Sequence, residues 1–103
     1  MVVWTPRART DLKDIHDYIA EDSPINAKEV VNRILDKAGP LAELPAIGKV
    51  VPEVNDDLIR EVSVQSWRII YHVYSDQVSI ITVIHKRRHI EANNITITPQ
   101  SSP

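Results

Sequence analysis

Two runs of β-branched and aromatic residues, separated by a short polar turn, constrain the fold of this chain more than any other feature. The runs are residues 67–74 and 78–84, and the turn between them is Ser75-Asp76-Gln77. Apolar runs that flank a short polar turn are typical of a β-hairpin. The densest positive charge in the chain follows directly, as His85-Lys86-Arg87-Arg88-His89. We therefore predict a hairpin with a basic exit.

Side-chain alternation predicts which hairpin residues share a face, because successive side chains of a strand point to opposite sides of the sheet. One face of the first strand is expected to carry Arg68, Ile70, His72 and Tyr74. In the second strand, uninterrupted alternation places together Val78, Ile80, Thr82 and Ile84. Both faces then carry apolar groups, and a helix pair covers only one of them. We expect the second face to be covered by the chain's own tail or by a partner.

The N-terminal half predicts a strand followed by an antiparallel pair of helices. Val2-Val3-Trp4 is a short apolar run, and Thr5-Pro6 suits the cap and first turn of a helix. A stripe at helical spacing predicts the first helix over residues 6–21, formed by Ala8, Leu12, Ile15 and Ile19. Ser23-Pro24 repeats the cap and predicts a second helix over residues 24–42, with a disturbance around Gly39-Pro40. The short link makes the helices antiparallel.

An extended loop over residues 46–57, with a short edge segment at 49–51, and a strand over residues 58–64 complete the predicted fold. The predicted class is α+β, with an N-terminal strand and an antiparallel helix hairpin packed on a mainly antiparallel sheet that ends in a three-strand meander. We expect a single domain over residues 1–89. The tail over residues 90–103 is expected to be disordered or to become ordered on a partner. Its alternating Ile95-Thr-Ile-Thr98 would suit addition to a sheet edge.

Composition excludes several classes of protein. The 103 residues contain no cysteine, so disulfides and thiolate metal sites are excluded, and we expect no metal or cofactor. No apolar run approaches the roughly 20 residues of a membrane span, and the N-terminus lacks the pattern of a signal peptide. A cytoplasmic protein is the expectation. The net charge of −2 argues against general nucleic-acid binding, so the basic exit indicates a local anionic partner or a solvated strand end.

Several short sequence motifs within these elements resemble those of a known family. They are Trp4-Thr-Pro-Arg-Ala8, Leu12-Lys-Asp-Ile-His-Asp-Tyr-Ile-Ala-Glu21, Leu44-Pro45 with Ile47-Gly48-Lys49, Val51-Pro52-Glu53, Arg60-Glu61-Val62, Trp67-Arg-Ile-Ile-Tyr71 and Val83-Ile-His-Lys-Arg-Arg88. In this order and spacing the chain resembles the ParE branch of the RelE/ParE toxin superfamily over about residues 2–89. The tail lies outside the resemblance.

The resemblance implies the toxin half of a type II toxin–antitoxin pair. Its partner would be a cognate antitoxin with a DNA-binding dimerisation domain, so operator DNA would be reached only through the antitoxin. A flexible antitoxin segment would cover the helix hairpin and the sheet. The residues expected to bind it are Leu12, Ile15, Ile19, Ile70, His72 and Tyr74. ParE-type members act on DNA gyrase, whereas RelE-type members cut messenger RNA in the ribosome.

The chemistry of RNA cleavage separates these two branches. Attack by a 2′-oxygen needs a base, an acid and cations around the charged transition state. Arg68 and either Arg87 or Arg88 match arginines of RelE-type enzymes, but Ile59 and Glu61 stand where lysines are expected. No tyrosine follows Arg88. The resemblance therefore implies a gyrase-binding protein rather than a catalyst.

We expect the target to be bound by six residues at the basic end of the sheet, Arg60, Arg68, His85, Lys86, Arg87 and Arg88. The alternative is a ribonuclease that uses Arg68, His85 and Arg88 as catalytic residues. A second alternative is a protein that has lost toxicity and serves only as a binding or autoregulatory partner of the antitoxin. Two structural roles also stay open: Arg68 can pair with Glu61 across the sheet, and His85 can be a packed or solvated strand-end residue.

Overall fold

The predicted hairpin forms the centre of a five-stranded sheet in a computed structural model that describes residues 1–88 and 90. The strands are β1 (Val2–Trp4), β2 (Lys49–Val50), β3 (Ile59–Val64), β4 (Trp67–Val73) and β5 (Val78–His85). Their order across the sheet is β1-β5-β4-β3-β2. β1 runs parallel to β5, and every other pair of neighbours is antiparallel. The predicted fold class, including the meander, is confirmed.

Two helices, α1 (Pro6–Ala20) and α2 (Pro24–Ala38), pack on one face of this sheet. Both begin as predicted, because the Thr5 hydroxyl accepts the Ala8 N–H and the Ser23 hydroxyl accepts the Asn26 N–H, each at 3.1 Å. The second helix ends four residues before the predicted residue 42, in a 3₁₀ turn over Gly39–Ala42. Proline has no N–H for a helical hydrogen bond, so the disturbance expected there ends the α-helix.

The main core lies between the helices and the sheet. Its fully buried side chains include Ala8, Ile34, Leu41, Ile69, Tyr71 and Ile80. The stripe read from the first helix contributes to it, since Ala8 and Ile15 are buried and Leu12 and Ile19 pack against the cluster. Among the described residues, no helix is long and apolar enough to cross a membrane.

The uninterrupted alternation predicted for β5 is wrong, because a β-bulge interrupts the strand. Ile70 is opposite Thr82 whereas Tyr71 is opposite Ile80, so Ile81 is the extra residue. Val83 then faces the helices, while Ile81 and Ile84 pack on the other side of the sheet. A bulge leaves backbone groups without ladder partners and changes which face the following residues occupy.

Helix α1 and its cap satisfy the groups that the bulge exposes. The Thr5 hydroxyl lies 2.8 Å from the Ile80 carbonyl oxygen and 3.0 Å from that of Ile81. The Asp11 carboxylate accepts the Val83 N–H at 3.1 Å and also accepts a hydrogen bond from the Thr82 hydroxyl. The bulge therefore attaches the first helix to the centre of the sheet.

We expected the second face of the sheet to need a cover. Within the described residues, the chain itself covers this face. A second core there consists of Val51, Ile59, Ile70, Ile81, Ile84 and Ile90, with Val54 packed against it. The loop after β2 and the first residue of the predicted tail thus form the cover. His89 and residues 91–103, including the Ile95-Thr-Ile-Thr98 segment, lie outside the described residues.

Candidate functional site

The exit from β5 is a tight turn that carries exposed cations. His85, Lys86, Arg87 and Arg88 are all solvent-exposed. The backbone of the turn is held in place, since the Lys86 N–H donates to the Ser66 carbonyl at 2.7 Å and the Arg88 N–H to the His85 carbonyl at 3.0 Å. Lys86, Arg87 and Arg88 can therefore present positive charge from a defined backbone.

The structure adds Lys49 to this surface, a residue that sequence reasoning missed. Its side chain is 72% exposed, and its Nζ lies 4.0 Å from Glu61 Oε2. Lys49 and Lys86 line the same groove of about 380 Å³, and Lys86 also lines a neighbouring groove with His85 and Arg87. We refer to Lys49, His85, Lys86, Arg87 and Arg88 as the basic edge. Only the pairing of β2 with β3, which places Lys49 opposite Glu61, could have indicated the first member.

Arg68, a predicted target-binding residue, is buried rather than exposed. Its side chain is 10% exposed and lies between two carboxylates, from Glu61 and Glu53, which are 3% and 8% exposed. Nη1 and Nη2 donate to the two oxygens of Glu53 at 2.8 Å each, while Nε and Nη2 donate to the two oxygens of Glu61. Nη1 also donates to the Arg88 carbonyl at 3.0 Å. The pairing with Glu61 that the sequence left open is present.

This arrangement occupies the whole guanidinium group. A guanidinium has five N–H donors, and each has an acceptor here. Hydrogen bonds from Arg68 lower the pKa of Glu53 to about 2, although burial opposes the shift. The same hydrogen bonds from the guanidinium to Glu53 raise the pKa of Arg68. Arg68 can therefore contact a phosphate only if one of these carboxylates is displaced.

Arg60, another predicted target-binding residue, is partly buried and bonded to the backbone of its own chain. Its Nη1 donates to the Gly48 carbonyl at 2.9 Å and its Nε to the Asp57 carbonyl at 3.0 Å. Arg60 therefore ties the backbone just before β2 to the end of the loop between β2 and β3. Of the predicted target-binding set, His85, Lys86, Arg87 and Arg88 are the exposed members.

The alternative catalytic residues do not converge on one point. The His85 ring stands edge-on to Trp67, with the ring centroids 5.4 Å apart, and Trp67 packs against the main core. Arg68 follows Trp67 in the strand and points to the opposite face, toward Glu53 and Glu61. His85 and Arg68 therefore lie on opposite sides of the sheet. Among the described residues, no group of three or more potential ligands could hold a metal ion.

The residues predicted to bind the antitoxin divide into exposed and buried members. Leu12, Ile19 and Tyr74 are partly exposed. Ile15 and Ile70 belong to the two cores, with exposures of 6% and 0%. His72 is 5% exposed, and its ring packs on that of Tyr74 with the centroids 4.2 Å apart. Burial lowers the pKa of His72, so the ring is neutral near pH 7.

Beside Leu12 lies an apolar groove of about 620 Å³ between β1 and the two helices. Its lining consists mainly of Val2, Val3, Trp4, Leu12, Val31 and Leu35. Leu35 is 41% exposed, so this apolar lining is open to solvent. In the part of the chain that the structure describes, β1 is an edge strand with β5 as its one neighbour. We refer to this feature as the β1 groove.

Comparison with known proteins identifies relatives over nearly the whole described chain. The model of a family described as the ParE toxin of the type II toxin–antitoxin system parDE matches residues 2–90. A protein named Toxin RelE2 from Caulobacter vibrioides is 37% identical over 87 residues, which cover 84% of this chain and 96% of that protein.

Two solved structures share the fold. One is from the chromosomal ParDE toxin–antitoxin system of P. aeruginosa, with a TM-score of 0.69 and 22% identity over 82% of this chain and 92% of that one. The other is from the RelBE2 toxin–antitoxin complex of Mycobacterium tuberculosis, with a TM-score of 0.61 and 21% identity over 82% and 95% of the two chains. The family match, the relative and the fold agree: this chain belongs to the ParE toxin family, within the RelE/ParE superfamily of type II toxin–antitoxin systems.

Proposed function

We propose that this toxin inhibits DNA gyrase by binding it through the basic edge, without catalysing a reaction itself. The observation that carries the proposal is the saturated guanidinium of Arg68, whose five N–H groups are bonded within the chain. A residue in this state cannot stabilise the transition state of RNA cleavage. The exposed cations that remain can instead bind an acidic or phosphate-rich surface.

Charge reversal on the basic edge tests this proposal. Purified toxin is assayed for loss of gyrase supercoiling and for accumulation of cleaved DNA complexes. Arg87→Glu should weaken inhibition by roughly tenfold or more, because replacing a cation at an interface introduces like-charge repulsion. Lys28→Glu is the matched control, since Lys28 is an exposed cation of α2 outside both the basic edge and the β1 groove. Wild-type toxin that leaves both gyrase readouts unchanged would refute the proposal.

The second candidate function is a RelE-type messenger-RNA nuclease, favoured by the name of the Caulobacter relative. It predicts discrete new 5′ ends on messages when the toxin is induced, detectable by primer extension. Arg68→Lys should then abolish cleavage, since lysine lacks the planar fork of donors. The gyrase proposal predicts no new ends. If the toxin causes no growth arrest without its antitoxin, the protein serves only as a binding partner.

We propose that the β1 groove binds a segment of the cognate antitoxin. The groove is apolar, and it lies along an edge strand to which another strand can add. Leu35→Glu should weaken binding of a peptide from the antitoxin's flexible segment by roughly tenfold or more, because it places a charge in the apolar contact. Ile25→Glu is the control, since Ile25 is 83% exposed and lies outside the groove. Equal affinities of both variants by calorimetry would exclude this site.

A further inference from the structure

We propose that Glu53 and Arg68 form a clamp that positions the basic edge. The clamp fastens the backbone at Arg88 and at Ile90 to the second face of the sheet. It thereby sets the direction in which the backbone of residues 86–88, which carries the exposed cations, extends from the end of β5. The functional part of this inference rests on the proposed role of the basic edge in target binding.

Both members of the ion pair bond to the backbone that follows β5, at Arg88 and at Ile90. Arg68 Nη1 donates to the Arg88 carbonyl at 3.0 Å, and Glu53 Oε2 accepts the Ile90 N–H at 3.2 Å. The two side chains are joined by a pair of hydrogen bonds of 2.8 Å each. Bidentate arginine–carboxylate pairs fix geometry as well as adding energy. The ion pair of Glu53 and Arg68 therefore holds the backbone at both Arg88 and Ile90.

The two carboxylates around Arg68 have different roles. Glu61 lies in β3, next to β4, and bonds to Nε and Nη2 of the same guanidinium. It orients Arg68 within the sheet. Glu53 comes from the loop between β2 and β3, and it accepts the Ile90 N–H, whereas the hydrogen bonds of the Glu61 carboxylate among the described residues are to Arg68. A change at Glu53 should thus affect the backbone at Arg88 and Ile90 more than the sheet.

Together with two further contacts, the clamp fixes both ends of the turn over residues 86–88. At the start of the turn, the Lys86 N–H bonds to the Ser66 carbonyl at 2.7 Å. At its end, the Ile90 side chain is 7% exposed and packs in the second core. The exposed cations of residues 86–88 lie between these two attachments. Holding the backbone in place before a partner binds reduces the loss of conformational entropy on binding.

Amide hydrogen exchange of the purified full-length toxin tests the clamp directly. Glu53→Gln keeps the size of the side chain but replaces one carboxylate oxygen with an NH2 group, so the side chain can no longer accept from both Arg68 nitrogens. The oxygen that accepts the Ile90 N–H is then no longer held by a bidentate ion pair. We expect the Ile90 amide to exchange roughly tenfold faster or more, since local opening is governed by local hydrogen bonds. Exchange in α1 and α2 should stay unchanged. Glu29→Gln is the matched control, because it removes an exposed ion pair with Arg33 on α2.

An unchanged rate for the Ile90 amide in Glu53→Gln would overturn the clamp. Glu53→Asp provides a second variant if the glutamine variant fails to fold. It keeps the charge but is one methylene shorter, so it cannot span Arg68 and the Ile90 N–H together. It should accelerate exchange at Ile90 in the same direction, and an unchanged rate there would likewise overturn the clamp.

The same variants in the gyrase assay separate the two proposals. If the toxin inhibits gyrase, Glu53→Gln should raise the concentration needed for half-inhibition by roughly tenfold, with Glu29→Gln near wild type. Equal inhibition by Glu53→Gln and wild type would overturn the positioning role, even if exchange at Ile90 is faster. If wild-type toxin does not affect gyrase, the proposed function fails, and the exchange rate at Ile90 still decides whether the clamp exists.

Discussion

A methyl group at position 48 should destabilise this protein strongly, although Gly48 has a backbone conformation open to any residue. Its φ of −77° and ψ of 161° are extended. The constraint is space, because a Cβ there would approach the Tyr71 hydroxyl and lie 2.5 Å from the Glu61 carbonyl oxygen. One neighbour is the backbone of β3, and the other is a fully buried ring. Neither can move aside without disturbing the sheet.

The size of the effect follows from what must be lost. Forcing an extra carbon into a packed site typically costs about 1–3 kcal/mol. Moving the loop also breaks the hydrogen bond of 3.0 Å from the Gly48 N–H to the Tyr71 hydroxyl, which itself donates to the Pro45 carbonyl at 2.7 Å. A buried polar group left without a partner adds about 1–3 kcal/mol. Gly48→Ala should therefore lower the free energy of unfolding by about 3 kcal/mol.

Urea denaturation of the free toxin, followed by far-ultraviolet circular dichroism, measures this change. Gly39→Ala is the matched control, because a Cβ at Gly39 would meet nothing within 4 Å and the backbone there is helical. It should leave stability unchanged or raise it by about 0.4–1 kcal/mol. In thermal unfolding, 3 kcal/mol corresponds to a Tm roughly 12–24 °C lower. Equal midpoints for Gly48→Ala and wild type would refute the argument from space.

Two further predictions concern carboxylates. Asp11→Ala should lower the free energy of unfolding by about 2–3 kcal/mol in the same urea titration, because the Val83 N–H and the Thr82 hydroxyl lose their acceptor at the bulge; a loss below about 0.5 kcal/mol would contradict this. The pKa of Glu53 falls from its ordinary 4.5 to about 2 beside Arg68, so its stabilising contribution is present above pH 4.5 and is lost as pH falls toward 2. In calorimetry over this pH range, the free energy of unfolding of the wild type should decrease by up to about 3 kcal/mol more than that of Glu53→Gln. Identical pH profiles for the two proteins would contradict this contribution of Glu53.

The candidate site could be predicted from sequence only in part. The exposed cations after β5 were found because they are adjacent in the chain and follow a recognisable strand. The partners of Arg68 could not all be found this way, since Glu53 is fifteen positions away and comes from an irregular loop. Whether an arginine is a free cation or half of a buried pair depends on which carboxylate the fold brings to it. Lys49 joined the site for the same reason, through the register of β2 on β3.

Local patterns in the sequence determined the helices, their caps and the hairpin, because apolar spacing, capping residues and prolines act over a few residues. They also indicated the family, and with it the α+β class and the C-terminal meander. Tertiary structure alone decided the bulge in β5, which depends on contacts of Asp11 with residues more than seventy positions away. It likewise decided that the chain covers its own second face and that Arg68 is internal. These outcomes depend on long-range pairing, in which the free energy of a side chain is set by neighbours that sequence distance does not reveal.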